Sequence, residues 1–129
     1  MEAIFSYKSL APNFAALIGC IPTLIGATAI VRPESVLSIL EFPPAKTPDA
    51  QKLTDSLSRI FGARALATGL LVLAIRFRGD RELLGWAMLI LALLPFVDGV
   101  VSLQQIGGGA WRHWALVPLM IGISACLLN

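Results

Sequence analysis

Apolar residues fall into four long runs along this chain, separated by short polar breaks. The runs cover about residues 12–31, 48–77, 83–103 and 110–128. A helix needs about twenty mostly apolar residues to cross the ~30 Å hydrocarbon core of a bilayer, and each run meets that length. The pattern predicts an all-α fold: a four-transmembrane-helix bundle, built as a single integral membrane domain over residues 1–129. The second run is longer than the bilayer core, so its first two turns should stand among the headgroups.

Residues 32–52 form the longest polar connection. Pro33 stands where a helix start tolerates proline, and Val36, Leu37, Ile39 and Leu40 make an apolar side between Glu34 and Glu41. This predicts a short interfacial helix after helix 1. The run ProProAlaLysThrPro then ends it, and Thr47 followed by Pro48 and Asp49 reads as the cap and first turn of the next helix. Ser58, Gly62, Ala65 and Gly69 recur at steps of four, three and four, a small-residue stripe against which another helix can pack closely. Pro22 with Thr23 marks a kink whose freed backbone groups need other partners, and Pro95 lies one turn before Asp98. Residues 76–82 form a short polar loop, and GlnGlnIleGlyGlyGly a turn before the fourth run. Trp86, Trp111 and Trp114 fall near span ends, as in an aromatic belt. The first run has a rival reading as a signal peptide, because Ala27-Thr28-Ala29 resembles a cleavage site. Against it, Glu2 opposes Lys8 in the n-region and the apolar run continues through Ile30 and Val31.

Composition agrees with the pattern. The chain is 57% hydrophobic and 14% charged, with a mean hydropathy of +0.79, whereas soluble domains run near a quarter charged. A net charge of +2, with no basic cluster interleaved with aromatics, argues against a nucleic-acid partner and for a lipid-bilayer one. The loop with Arg76, Arg78 and Arg81 is denser in positive charge than the side with Arg32, Lys46, Lys52 and Arg112, which puts both termini in the cytosol. Cys20 and Cys126 belong to no CxxC or Cys/His cluster, and their different depths predict two small buried hydrophobes rather than a disulfide. No metal or cofactor motif is present, and Gly107 to Gly109 follow no strand, so they do not read as a phosphate loop.

Candidate chemistry comes from ionisable residues inside apolar runs. Asp98 lies in LeuLeuProPheValAspGlyValVal, about six residues or ~9 Å into its span. A carboxylate there needs a partner, a proton or a water-filled cavity. Arg59 lies at a similar depth from the same face, Arg64 ~7 Å deeper, and His113 in the first turn of the fourth span. Asp55 and Arg59 are spaced to pair on one helix side, whereas Arg59 and Arg64 lie on different stripes. The expected catalytic set is Asp98, His113, Arg59 and Arg64. Asp55, Ser102, Glu41 and Trp114 are further pocket candidates, and residues 32–52 are a lid. In that set Asp98 is the acid or base, His113 shares proton transfer and an arginine holds an anionic or enolic oxygen. The plainer alternative is an Asp98–arginine bridge that only fixes helix packing, with His113 a wet interfacial residue.

ArgProGluSerValLeuSerIleLeuGluPheProPro after the first span, PheGlyAlaArgAlaLeuAlaThrGlyLeuLeu in the second, PheValAspGlyVal in the third and TrpArgHisTrp opening the fourth carry a family resemblance over most of the chain. The chain resembles the small four-helix membrane proteins catalogued as a domain of unknown function (number four-two-six-seven), which look distantly like DoxX-type proteins. The matching residues are Gly62, Arg64, Gly69, Asp98 and His113. Such proteins occur often in fungi, some among natural-product pathways. The resemblance therefore implies a lipophilic intermediate, polyketide or terpenoid, at the endoplasmic reticulum, and it supplies no catalytic residues. Three functions compete. The first is a cofactor-free acid/base enzyme (cyclase, isomerase or hydrolase). The second is a non-catalytic accessory that uses the small-residue stripe to bind a partner membrane enzyme or a second copy. The third is a small transporter. Exporters of this size carry an essential carboxylate in the first helix, and this first run has none.

Overall fold

The computed structural model describes the backbone from Tyr7 and the side chains from Leu10, in each case to Asn129. Glu2 and the Lys8 side chain lie outside the described residues. Every regular element described is a helix: α1 (Tyr7–Val31), α2 (Ser35–Ile39), α3 (Pro48–Arg78), α4 (Arg81–Leu91), α5 (Leu93–Ile106), α6 (Ala110–Trp114) and α7 (Leu116–Leu128). Four stretches are long and apolar enough to cross a membrane: Leu10–Val31, Pro48–Arg78, Arg81–Ile106 and Ala110–Leu128. The chain is thus an all-helical, multi-pass membrane protein with the expected four spans.

Local chemistry sets the ends of these helices. Thr47 has an extended backbone and its hydroxyl accepts from the Ala50 N–H at 3.2 Å, with Pro48 following as the first helical residue. Helix α3 stops at Gly79, whose φ of 76° is open to glycine, and the Asp80 carboxylate at once caps α4 by accepting from the Leu83 N–H at 2.9 Å. The polar loop expected over 76–82 is therefore mostly helix, with Gly79 and Asp80 alone making the connection.

The third and fourth spans are each interrupted once, and the sequence pattern did not show it. The breaks fall at Ala92 and Ala115, each three residues before a proline, Pro95 and Pro118. Proline brings no N–H and its ring collides with the carbonyl four residues back, here those of Leu91 and Trp114. Pro22 lies inside α1 without ending it.

Packing on α1 places small residues inside and large apolar ones outside. On α1 the buried positions are Ala11, Ala15, Gly19, Gly26 and Ala29, whereas Phe14, Leu17, Ile21 and Leu24 are exposed. That reversal suits hydrocarbon surroundings, where close backbone packing rather than burial of bulk holds helices together. Helix α1 is the partner of the small-residue stripe. A Cβ built on Gly26 would lie 2.5 Å from the Gly62 carbonyl oxygen, and one on Gly69 would lie 2.6 Å from that of Gly19. The two crossings are seven residues apart on each helix, so α1 and α3 run antiparallel with bare backbone at both. Ala65, also on the stripe, instead turns to a cavity. The second tight pair is α4 with α7, joined by the buried Ser124 hydroxyl donating to the Gly85 carbonyl at 2.8 Å. Among the described residues α3 and α5 do not pack on each other as the other neighbouring helices do, and the cavity lies between them.

Candidate functional site

The cavity has a volume of about 420 Å³ and takes wall from all four spans. That falls in the range of small-molecule pockets, which are mostly apolar with a few placed polar groups. Pro22 on α1, Phe61 on α3, Met88 on α4, Leu94 on α5 and Leu116 on α7 represent its apolar walls. Leu40, just past α2, reaches it from the 32–52 connection.

Three ionisable side chains reach this wall: Arg64, Asp98 and His113. On α3 the cavity stripe is Phe61, Arg64 with Ala65, Thr68 and Val72, at helical spacing. Arg59 stands five residues earlier, ~140° around the helix, and is exposed outside the cavity. Helix rotation therefore selects Arg64. The Thr68 hydroxyl is spent within α3, donating to the carbonyls of Ala65 at 2.9 Å and Arg64 at 3.0 Å. Arg64 and His113 are the charge neighbours of Asp98. Among the described residues, Asp98 makes no hydrogen bond and no ion pair within 4 Å, so the direct arginine bridge of the plainer alternative is not formed.

The other candidates have different occupations, and none lines the cavity. Asp55 accepts from the Gln51 amide at 2.7 Å, and the expected Asp55–Arg59 pair does not form among the described residues. Gln51 lies one turn earlier on the same side of α3 and supplies the bond instead, while Arg59 is exposed. Ser102 donates its hydroxyl to the Gly108 carbonyl at 2.9 Å and fastens the turn before α6. Glu41 is paired with Arg112 at the surface, tying the segment after α2 to α6. Each member of that pair adjoins a cavity-wall residue, Leu40 and His113 respectively.

Trp114 supports the site from behind. Its indole N–H donates to the Phe96 carbonyl at 3.1 Å, and its ring lies on Gly99, where any Cβ would strike it. Asp98 precedes Gly99, and His113 precedes Trp114. This contact therefore fixes α6 against α5 beside the two titratable groups. The adjacency of Asp98 with Gly99 and of His113 with Trp114 is visible in the sequence, but nothing local says that the two pairs meet. Among the described residues, no three His, Cys, Asp or Glu side chains gather as a metal-ligand set.

The family described as a domain of unknown function (DUF4267) matches residues 19–127, which include the cavity wall except Ile18, both glycine crossings and the α5–α6 contact. The chain belongs to this family. The match runs from the first glycine crossing to the last turn of α7, so it takes in the second half of α1 and nearly all of the other three spans. No curated protein and no solved structure matches the chain.

Proposed function

We propose that this family member is a membrane-embedded, cofactor-free acid–base enzyme (an isomerase, cyclase or hydrolase) acting on a lipophilic molecule. The observation that carries this reading is the Asp98 carboxylate. It lies on the wall of an apolar cavity with Arg64 and His113 as charge neighbours, and among the described residues no bond occupies it. A carboxylate placed only to fix packing would be expected to be bonded. In an isomerisation, a C–H bond next to a carbonyl breaks and its proton passes to Asp98. The electron pair moves into an enolate whose oxygen Arg64 holds, and His113 or Asp98 returns a proton at another carbon. A cyclase would use the same enolate as a carbon nucleophile. On this reading the protein works on a polyketide or terpenoid intermediate in the endoplasmic-reticulum membrane, the setting that the family resemblance implies, with the cytosolic termini that the loop charges favour.

The accessory reading relied on the small-residue stripe as a docking face, and α1 occupies that stripe at both glycine crossings. The test of the enzyme reading is metabolite profiling of a strain lacking the gene, followed by supply of the accumulated compound to membranes that contain the protein. Asp98→Asn should lower turnover about 100-fold or more, the scale of positioned proton transfer, while the variant still inserts and purifies as one species. Full activity in that variant would end the proposal.

A further inference from the structure

The cavity is polar at one end only. Along α3, Arg64 and Val72 both line it and are separated by about 12 Å at ~1.5 Å per residue; along α4 and α5, Met88 and Asp98 are separated by about 15 Å. His113 and Leu40 close the same end as Arg64 and Asp98. Beyond that end the walls are apolar apart from Thr68, whose hydroxyl is satisfied within its own helix. A ligand filling the space therefore has one polar head and an apolar body.

Charge narrows the head. With His113 counted as neutral, Arg64 and Asp98 carry opposite formal charges that cancel across the polar end. A fixed anion, such as a carboxylate or phosphate, would face Arg64 but bring a second negative charge beside Asp98. A fixed cation would stand against Arg64. Either leaves one uncompensated charge at the polar end, which weakens binding or displaces the ligand. A carbonyl avoids both: its oxygen accepts from the guanidinium, and its acidic C–H or hydroxyl faces the carboxylate.

We propose that the cavity binds an uncharged, single-headed lipophilic carbonyl compound, its oxygen held by Arg64, its acidic C–H or hydroxyl toward Asp98, and its apolar body extending toward Val72 and Met88. This rests on the acid–base reading of the site. It goes further in naming the substrate class and the direction in which the substrate lies.

The test compares four probes of similar chain length: methyl nonyl ketone, decanoate, decylammonium and decane. Binding is measured calorimetrically to the protein in phosphatidylcholine nanodiscs, with empty nanodiscs subtracted and Leu94→Trp as a cavity-filling control. The ketone should bind at least tenfold more tightly than the other three, and Leu94→Trp should remove that advantage. Asp98→Asn should move the preference to decanoate, and Arg64→Met should move it to decylammonium. Preference of the wild-type protein for either charged probe, or for none, overturns the proposal. If a variant does not purify as one species, the wild-type ranking and the Leu94→Trp control decide. Head selectivity without Asp98-dependent turnover of the accumulated metabolite ends the enzyme reading and leaves this inference standing. Turnover without head selectivity does the reverse.

Discussion

Alanine at Gly62 should pry α1 from α3. The added Cβ would lie 2.7 Å from the Ala29 Cβ and 2.8 Å from the Gly26 carbonyl oxygen. Non-bonded carbons rest at about 3.5–4.0 Å, so the overlap is near 1 Å. Neither neighbour can swing aside, since one is a methyl fixed to its helix and the other is backbone. The helices must move apart instead, and a gap of about 0.5–1 Å forfeits a quarter to a half of each dispersion contact along the crossing. Overpacking of this kind costs about 1–3 kcal/mol, and in lipid little hydrophobic gain offsets it. Gly122 provides the matched control, because a Cβ there meets nothing within 4 Å. Gly122→Ala should be neutral, or stabilising by up to about 1 kcal/mol through helix propensity. Unfolding of both variants in mixed micelles, followed by helicity against detergent fraction, measures the difference. Adding Ala29→Gly to Gly62→Ala should restore part of the loss, since it removes the nearer of the two neighbours. Equal stability of Gly62→Ala and Gly122→Ala would refute the close crossing.

Three further outcomes follow from the same geometry. Arg64→Gln should reduce turnover by about 100-fold or more, the scale of a lost oxyanion donor, whereas Arg59→Gln should leave it within about twofold; equal losses would contradict the rotation of α3. Trp114→Phe keeps a ring on Gly99 but deletes the N–H bond to Phe96, so a chemical melt should show a loss of about 0.5–1.5 kcal/mol. Glu41→Gln removes an exposed ion pair with Arg112, so stability should change by no more than about 1 kcal/mol, while proteolysis between α2 and α3 should speed up as the segment loosens.

Much of the fold is written locally. The four spans follow from run length, the start of α3 from Thr47 and Pro48, and its end from Gly79. Ser58, Gly62 and Gly69 are buried small residues on one side of α3, as their spacing predicts. The ionisable residues that could matter are also plain, because any charge within an apolar run stands out. The interruptions at Ala92 and Ala115 were less legible. A proline in a span can stay within its helix, as Pro22 does in α1, or interrupt it, as Pro95 and Pro118 do in the third and fourth spans. The outcome depends on what neighbouring helices offer the freed carbonyls.

The choice among the candidates belonged to the tertiary structure. The sequence offered two arginines, two further carboxylates, a serine and a tryptophan around Asp98 and His113. The packed bundle kept Arg64 on the cavity wall and gave the rest other partners or other faces. In water, a helix shows its inward face by alternation of polar and apolar residues. In a bilayer both faces are apolar, so that alternation fades and hydropathy fixes where a helix lies but hardly how it is turned. The turn of α3 is set by Gly62 and Gly69 meeting Gly26 and Gly19, and that of α6 by Trp114 settling on Gly99. Composition and run length thus determine the spans. Close contacts between residues far apart in sequence determine which side chains share the cavity.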